Sequence, residues 1–430
     1  MTKSRKIFYT ILSGVIIILA VLLWNLKNNM QFYEYVQSNI VYITETFGLK
    51  QEENSDIVIG VVWPEGDGGF VEGAMMAQEQ INAQGGLNHK KIRFIIENET
   101  KYLESARADL ARHGRYRNAA QDAGSQIARK LVAEKGLIAV IGHKDVNDTA
   151  LPASITYESK GILFLASSET NPLLTHINST LTFQLQPSSV RMAQEIIQFC
   201  TDQSYNDVVI IHARDRDSIQ TAAFVKKMSS EFGVKIVTSI TFYNRSREEL
   251  SHADVSNVTS SLLAVKNSSF NAIILIGEPM AAQQIVKMSR KLGIHQPFVG
   301  SDALESDVFS SYVGPMGKGT VVASVFDETT FYYRQFSKVF EKYSNGKKAD
   351  VYAGIGYDSV QILANLIRKN HTLNPADLAH ALRYQTPLIY GVSGLFGFTG
   401  KGENFGKVFT FNELKSDENG ILSFVPLKYY

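Results

Sequence analysis

The sequence predicts an α/β fold of doubly wound parallel sheets, and three observations carry that prediction. Seven short apolar runs recur along the chain: residues 57–62, 137–142, 162–166, 207–213, 235–242, 271–277 and 297–301. They are continuous rather than alternating, which is how strands buried on both faces read. Helix-compatible stretches separate them, among them 123–134, 219–232, 255–265 and 281–292. The first of these units, Ile57 to Ile96, is a complete strand–loop–helix–strand. Its helix spans Phe70–Ala83 and buries a stripe of Ala74, Ala77 and Ile81. Gly85-Gly86 stops the helix because glycine turns through positive φ without steric cost.

Ahead of that unit, Lys3, Arg5 and Lys6 precede a nearly unbroken apolar run from Ile7 to Trp24. About 20 such residues span a bilayer, and basic residues on the short leading side keep that side cytoplasmic. A cleaved signal peptide is the rival reading. No small residues at cleavage spacing follow Trp24 and no cysteine is present there to take a lipid, which favours an uncleaved single-pass anchor over residues 1–29. Residues 30–55 read as a stalk and linker. The body is then expected to be extracytoplasmic, periplasmic or extracellular.

After the first unit, the arginine-rich segment Arg107–Gln121 breaks the rhythm and reads as a solvated insertion. The later runs resume it nearly to the C-terminus.

Composition narrows the function. The 430 residues suffice for two domains, and 44% hydrophobic with 20% charged residues indicates a folded core. A net charge of +1 gives no field to recruit nucleic acid. The single Cys200 excludes an intrachain disulfide and reads as a buried structural thiol. Histidines are scattered without metal-ligand spacing, no Gly-x-Ser-x-Gly elbow is present, and Gly400-Lys401-Gly402 lacks the ending of a phosphate loop and reads as part of a terminal hairpin. No enzyme signature and no cofactor motif results.

Ligands of open parallel sheets bind beyond the carboxyl ends of strands. The polar residues directly after the apolar runs are therefore the candidates: Trp63 to Gly69, His143 to Thr149, Ser167 to Thr170, Arg214 to Asp217, Glu278, and Ser301-Asp302. Each alone reads equally well as a solvated turn or helix cap.

The stretches EGAMMAQEQINAQGG, IGHKDVNDTALPAS, KGILFLASSETNPLLT, FQLQPSS, GIHQPFVGSDAL and YAGIGYDSVQILANLI, in that order, resemble the type I periplasmic-binding-protein family, the branched-chain amino-acid binders and their relatives. The resemblance implies a Venus-flytrap of two lobes joined by three crossings: lobe one over residues 56–185 and 325–387, lobe two over 186–324 and 388–430. It implies a small polar ligand, an amino acid or cationic amine, bound by hinge closure for an ABC-type permease or a signalling partner. Ser168 and Thr170 match the family's α-carboxylate and α-ammonium positions, and Asp302 matches its acidic ammonium partner. Trp63 belongs to the loop after the first strand. Three positions depart from the pattern: Asn147, beside Asp148, stands where a serine is usual, Asp217 replaces part of a Tyr-Gly pair, and Glu278 replaces an aromatic. These changes imply a more acidic pocket. Two other readings stay open, a ligand-sensing receptor domain and an assembly protein that has lost its ligand.

Overall fold

The computed structural model describes residues 56–113, 118–144, 148–176, 179–243 and 249–427. The expected anchor and stalk, and Asn147, lie outside them. Among the described residues no helix is long and apolar enough to cross a membrane.

The first lobe runs β1 (Ile57–Trp63), α1 (Phe70–Ala83), β2 (Ile92–Asn98), α2 (Glu99–His113), α3 (Ala119–Leu131), β3 (Leu137–Gly142), α4 (Ala150–Ser159), β4 (Leu163–Ala166), α5 (Leu173–His176) and β5 (Thr182–Gln184). Its five strands are parallel in the order β2-β1-β3-β4-β5. The second lobe follows with α6 (Ser189–Asp202), β6 (Asp207–Ala213), α7 (Arg216–Glu231), β7 (Lys235–Phe242), α8 (His252–Val265), β8 (Ala272–Ile276), α9 (Pro279–Lys291), β9 (Phe298–Ser301), α10 (Asp307–Val313) and β10 (Val321–Ser324). The chain returns through α11 (Phe331–Tyr343), α12 (Val351–Asn370), α13 (Pro375–His380) and a hairpin of β11 (Ile389–Gly391) and β12 (Gly394–Phe396). It ends in β13 (Thr410–Ser416) and β14 (Leu422–Pro426), which extend the second sheet antiparallel to the order β14-β13-β10-β9-β8-β6-β7.

Alternation along each strand sorts its side chains into two cores. Ile57, Ile59 and Val61 pack with α1 and α12 on one face of the first sheet. Val58 and Val62 pack with Ile127 and Leu131 of α3 on the other. The second sheet does the same, with Val209 and Ile211 on the α8–α9 side and Val208 and Ile210 on the α6–α7 side. Cys200 lies on the α6–α7 side, where burial pushes its thiol up to about 12. Side-chain caps fix where the helices start: Asn118 accepts from Ala120, Ser188 from Arg191, Asp215 from Ser218 and Asp350 from Ala353.

Helices α1 and α12 cross at glycine-to-backbone contact. A Cβ on Gly73 would lie 2.0 Å from the Ala353 carbonyl oxygen, and one on Gly356 would lie 2.1 Å from that of Phe70. That closeness brings Tyr352, in the first turn of α12, beside Trp63 at the end of β1.

Two expectations need correction. Arg107–Gln121 is not an insertion: α2 continues through His113 and α3 begins at Ala119, with Leu103, Ala106, Ala120 and Ala123 in a small core of their own. Arg107 and Arg112 lie on the exposed face of α2. The assignment of residues from 388 onward to the second lobe also shifts, because Phe396 and Phe398 belong to the first lobe's core. Asp358 of α12 fixes the hairpin there, accepting from the backbone of Val392 and Ser393 and from the Ser393 hydroxyl.

The lobes are joined at residues 185–188, 325–330 and 399–409. The first and third crossings are hydrogen-bonded to one another, with Gln184 N donating to Gly402 O (2.9 Å), Asn404 Nδ2 to Leu185 O (2.8 Å), and the Ser188 hydroxyl to the Glu403 carboxylate.

Candidate functional site

Each sheet has its topological switch point where the strand order reverses, and ligands of such sheets bind in the crevice there. In the first lobe that crevice lies between the loops after β1 and β3; in the second it lies between those after β6 and β8. Contacts between the lobes join the same edges. Arg216, at the first position of α7, pairs with Asp148 of the β3 loop at 3.7 Å, and Gln220 of α7 meets Asn171 of the β4 loop at 3.5 Å.

The β3 loop is built around a buried polar network. Gly142 and His143 both adopt positive φ, which sends the His143 ring into the core. Its Nδ1 meets Thr149 Oγ1 at 2.8 Å and Glu99 Oε1 at 3.1 Å, and its Nε2 meets the Tyr157 hydroxyl at 3.0 Å. The Glu99 carboxylate also accepts from the Lys144 backbone and from the Thr149 hydroxyl. All four side chains are sealed from solvent, and burial drives the Tyr157 hydroxyl well above its usual range. The network positions the loop and cannot reach a substrate.

Lys144 then emerges over the switch-point crevice. Its ammonium is 2.6 Å from the Asp67 carboxylate and lies 4.7 Å from the Tyr352 ring centre and 5.8 Å from that of Trp63. Asp67 sits on the glycine loop after β1, which is held at several points. The Trp63 indole N–H donates to the Asp67 carbonyl, Lys347 donates to Gly68 O, and Gly69 N donates to Asp350. Trp63 stacks on Phe70 at 4.2 Å, is only 2% exposed, and with Tyr352 walls the space around the Lys144 ammonium. Trp63 also lines, with Pro64, Gly66, Val71, Ile96 and Asn98, an open recess of about 330 Å³.

Ser168 and Thr170 fall on the β4 loop as expected, Ser168 buried and Thr170 half-buried. Between them Glu169 folds back so that its carboxylate accepts from the N–H of Thr170 (3.1 Å) and of Asn171 (2.8 Å). An incoming carboxylate must compete with Glu169 for these donors. Ser167 ties this loop to its surroundings, accepting from Gly142 N and meeting the Ser359 hydroxyl of α12.

In the second lobe Asp217 lies exposed in the first turn of α7, and Glu278 is the N-cap residue of α9. They flank the β6/β8 switch point. Asp302, exposed at the start of a 3₁₀ turn, follows β9, one strand further out. The expectation of an acidic pocket is modified, since Asp67 and Asp148 are each matched by a cation, Lys144 and Arg216. Burial raises the Asp148 carboxyl while Arg216 opposes the rise. Position alone marked Lys144 and Arg216 as loop residues; their pairing was invisible without the fold.

Two doubly wound lobes, three crossings and loop edges meeting across one cleft define the hinged, two-lobed class of small-molecule binders. The chain belongs to the periplasmic binding protein family, whose model matches residues 118–419. Among its relatives, an amino acid binding protein of Pseudomonas aeruginosa is 24% identical over 352 residues, covering 79% of this chain and 86% of that one. A Leu/Ile/Val-binding protein homolog of Brucella abortus is 24% identical over 375 residues, covering 85% and 92%. A substrate-binding protein of an ABC transporter from Desulfitobacterium hafniense, solved in complex with Leu, superimposes with a TM-score of 0.69 at 23% identity, covering 86% of this chain and all of that one.

Proposed function

We propose that this protein is an extracytoplasmic solute-binding protein, tethered by its N-terminal apolar segment, that captures a small polar ligand of amino-acid type between its lobes and presents it to an ABC-type importer. It acts by binding and release and carries out no catalysis. The observation that carries the reading is the meeting of the two strand-end edges across one cleft, through Asp148–Arg216 and Asn171–Gln220, in a family of binding proteins. The ligand's carboxylate docks on the Ser168–Asn171 loop in competition with Glu169, and its ammonium is met by Asp302 with Glu278 beside it. Closure is a population shift, limited by the ligand's greater affinity for the closed form. Thermal unfolding of the protein against single amino acids, amides and polyamines tests it: a ligand should raise the melting temperature saturably, and Ser168→Ala or Asp302→Asn should shift the response to about tenfold or more higher concentration. The tether is tested separately by membrane fractionation and external protease treatment of cells expressing the full chain. Release of the body by protease from outside supports it, and a body in the cytoplasm refutes it.

A second reading, an assembly protein without a ligand, is favoured by the internal partners that Glu169 and Lys144 already have. No stabilisation by any compound, with Ser168 and Asp302 replaceable without phenotype, would select it.

A further inference from the structure

We infer that Lys144 is a tethered occupant of the first lobe's switch-point crevice. Its ammonium holds the place of a ligand's cationic or extended apolar end, so truncating it should open a site for small primary ammonium ions. The crevice between the β1 and β3 loops is where this strand order places ligands, and it contains the parts of an ammonium-binding box: two aromatic faces, Trp63 and Tyr352, and one carboxylate, Asp67.

The box is filled from within the chain. Lys144 is 8% exposed and has Asp67 at 2.6 Å, a satisfied cation that needs no external partner. Both sides are fixed in place. The turn at Gly142 and His143 is pinned by the Glu99 network, and Asp67 is held by the Trp63 indole and its anchored glycine loop. A free ligand reaching this point would have to expel a charge already paired and desolvated. The consequence for specificity is that the cleft takes compact ligands seated on the β4 loop and the second lobe, and excludes a long or branched side chain from the β1/β3 crevice. This consequence for specificity rests on the proposed function, whereas the tethering of Lys144 and its test do not.

The test is chemical rescue in the full-length protein. Lys144→Ala should melt below the wild type. n-Propylammonium chloride should restore it saturably, by about 2 °C at tenfold the dissociation constant, where sodium chloride at equal concentration does not. Wild type, with the box filled, and Lys144→Ala/Asp67→Asn, with the carboxylate removed, should not respond. An equal response in wild type and Lys144→Ala, or none in a Lys144→Ala protein shown folded by circular dichroism, overturns the inference. A second measurement needs no variant. Acetic anhydride labelling of the wild type, read by mass spectrometry, should acylate Lys144 at least about tenfold more slowly than Lys235, whose side chain is 76% exposed. Equal rates would overturn the inference as well.

Discussion

Replacing Lys407 by methionine probes the third crossing, where a lysine is buried with only 2% of its surface exposed. Its ammonium donates to the Ser393 carbonyl, lies 4.8 Å from the Phe396 ring centre, and faces the buried Asp358 carboxylate that holds the hairpin. Burial lowers the Lys407 pKa from 10.5 to about 8, against the pull of Asp358. The folded state therefore binds this proton more weakly than the unfolded state does. The penalty is fully present below pH 8 and fades as pH rises toward 10.5. At about 1.4 kcal/mol per pH unit the full penalty is about 3 kcal/mol, and about 2 kcal/mol of it is relieved between pH 7 and pH 10. Burial raises the Asp358 carboxyl, and the facing Lys407 ammonium opposes that rise. Urea unfolding followed by circular dichroism at several pH values, on wild type and Lys407→Met, isolates the effect, since groups that do not interact with Lys407 cancel in the difference. The stability of wild type relative to Lys407→Met should increase by about 2 kcal/mol from pH 7 to pH 10. A difference that stays flat within about 0.5 kcal/mol over that range would refute the reasoning.

The remaining predictions concern packing and the cleft. Gly73→Ala should destabilise by about 3 kcal/mol in urea unfolding, because the 2.0 Å approach to Ala353 O outweighs the usual helix gain from alanine. Glu99→Ala should cost about 3–5 kcal/mol in the same assay, since it strips His143, Thr149 and the Lys144 N–H of a common buried acceptor. Arg216→Ala should change stability by less than about 1 kcal/mol, because both partners of the Asp148 pair are partly exposed, yet small-angle scattering should show a more open average. Glu169→Ala frees the N–H groups of Thr170 and Asn171, and calorimetry should record about tenfold tighter binding of a carboxylate-bearing ligand, equivalent to one charge-assisted hydrogen bond.

How far the sequence could be read follows from which forces are local. Strands β3, β6 and β7 fall on their apolar runs residue for residue, and α1 runs over the predicted Phe70–Ala83. Burial on both faces makes the runs of β3 and β6 continuous, whereas β7, at the sheet edge, is only partly buried. Helix α2 gives no clear apolar period because it buries little beyond Leu103 and Ala106. The hairpin of β11 and β12 joins the first lobe because Asp358, 34 and 35 residues earlier, decides where it docks, and periodicity does not report so distant a partner. The site divides the same way. Its loops were legible as polar residues following strands, but the Lys144–Asp67 pair spans two loops and depends on the crossing of α1 and α12 that brings Tyr352 to Trp63. The family pattern points to Ser168 and Thr170, whereas the Glu169 carboxylate between them takes the N–H donors that pattern gives to a ligand.

The central claim, capture of a compact amino-acid-type ligand in the cleft between the lobes, is tested most directly by calorimetric titration of the full-length protein with single amino acids, alongside Ser168→Ala and Asp302→Asn. Saturable one-to-one binding of at least one compact member is expected, weaker by about tenfold or more in each variant. Absence of binding across the series, or binding that both variants leave unchanged, would contradict it.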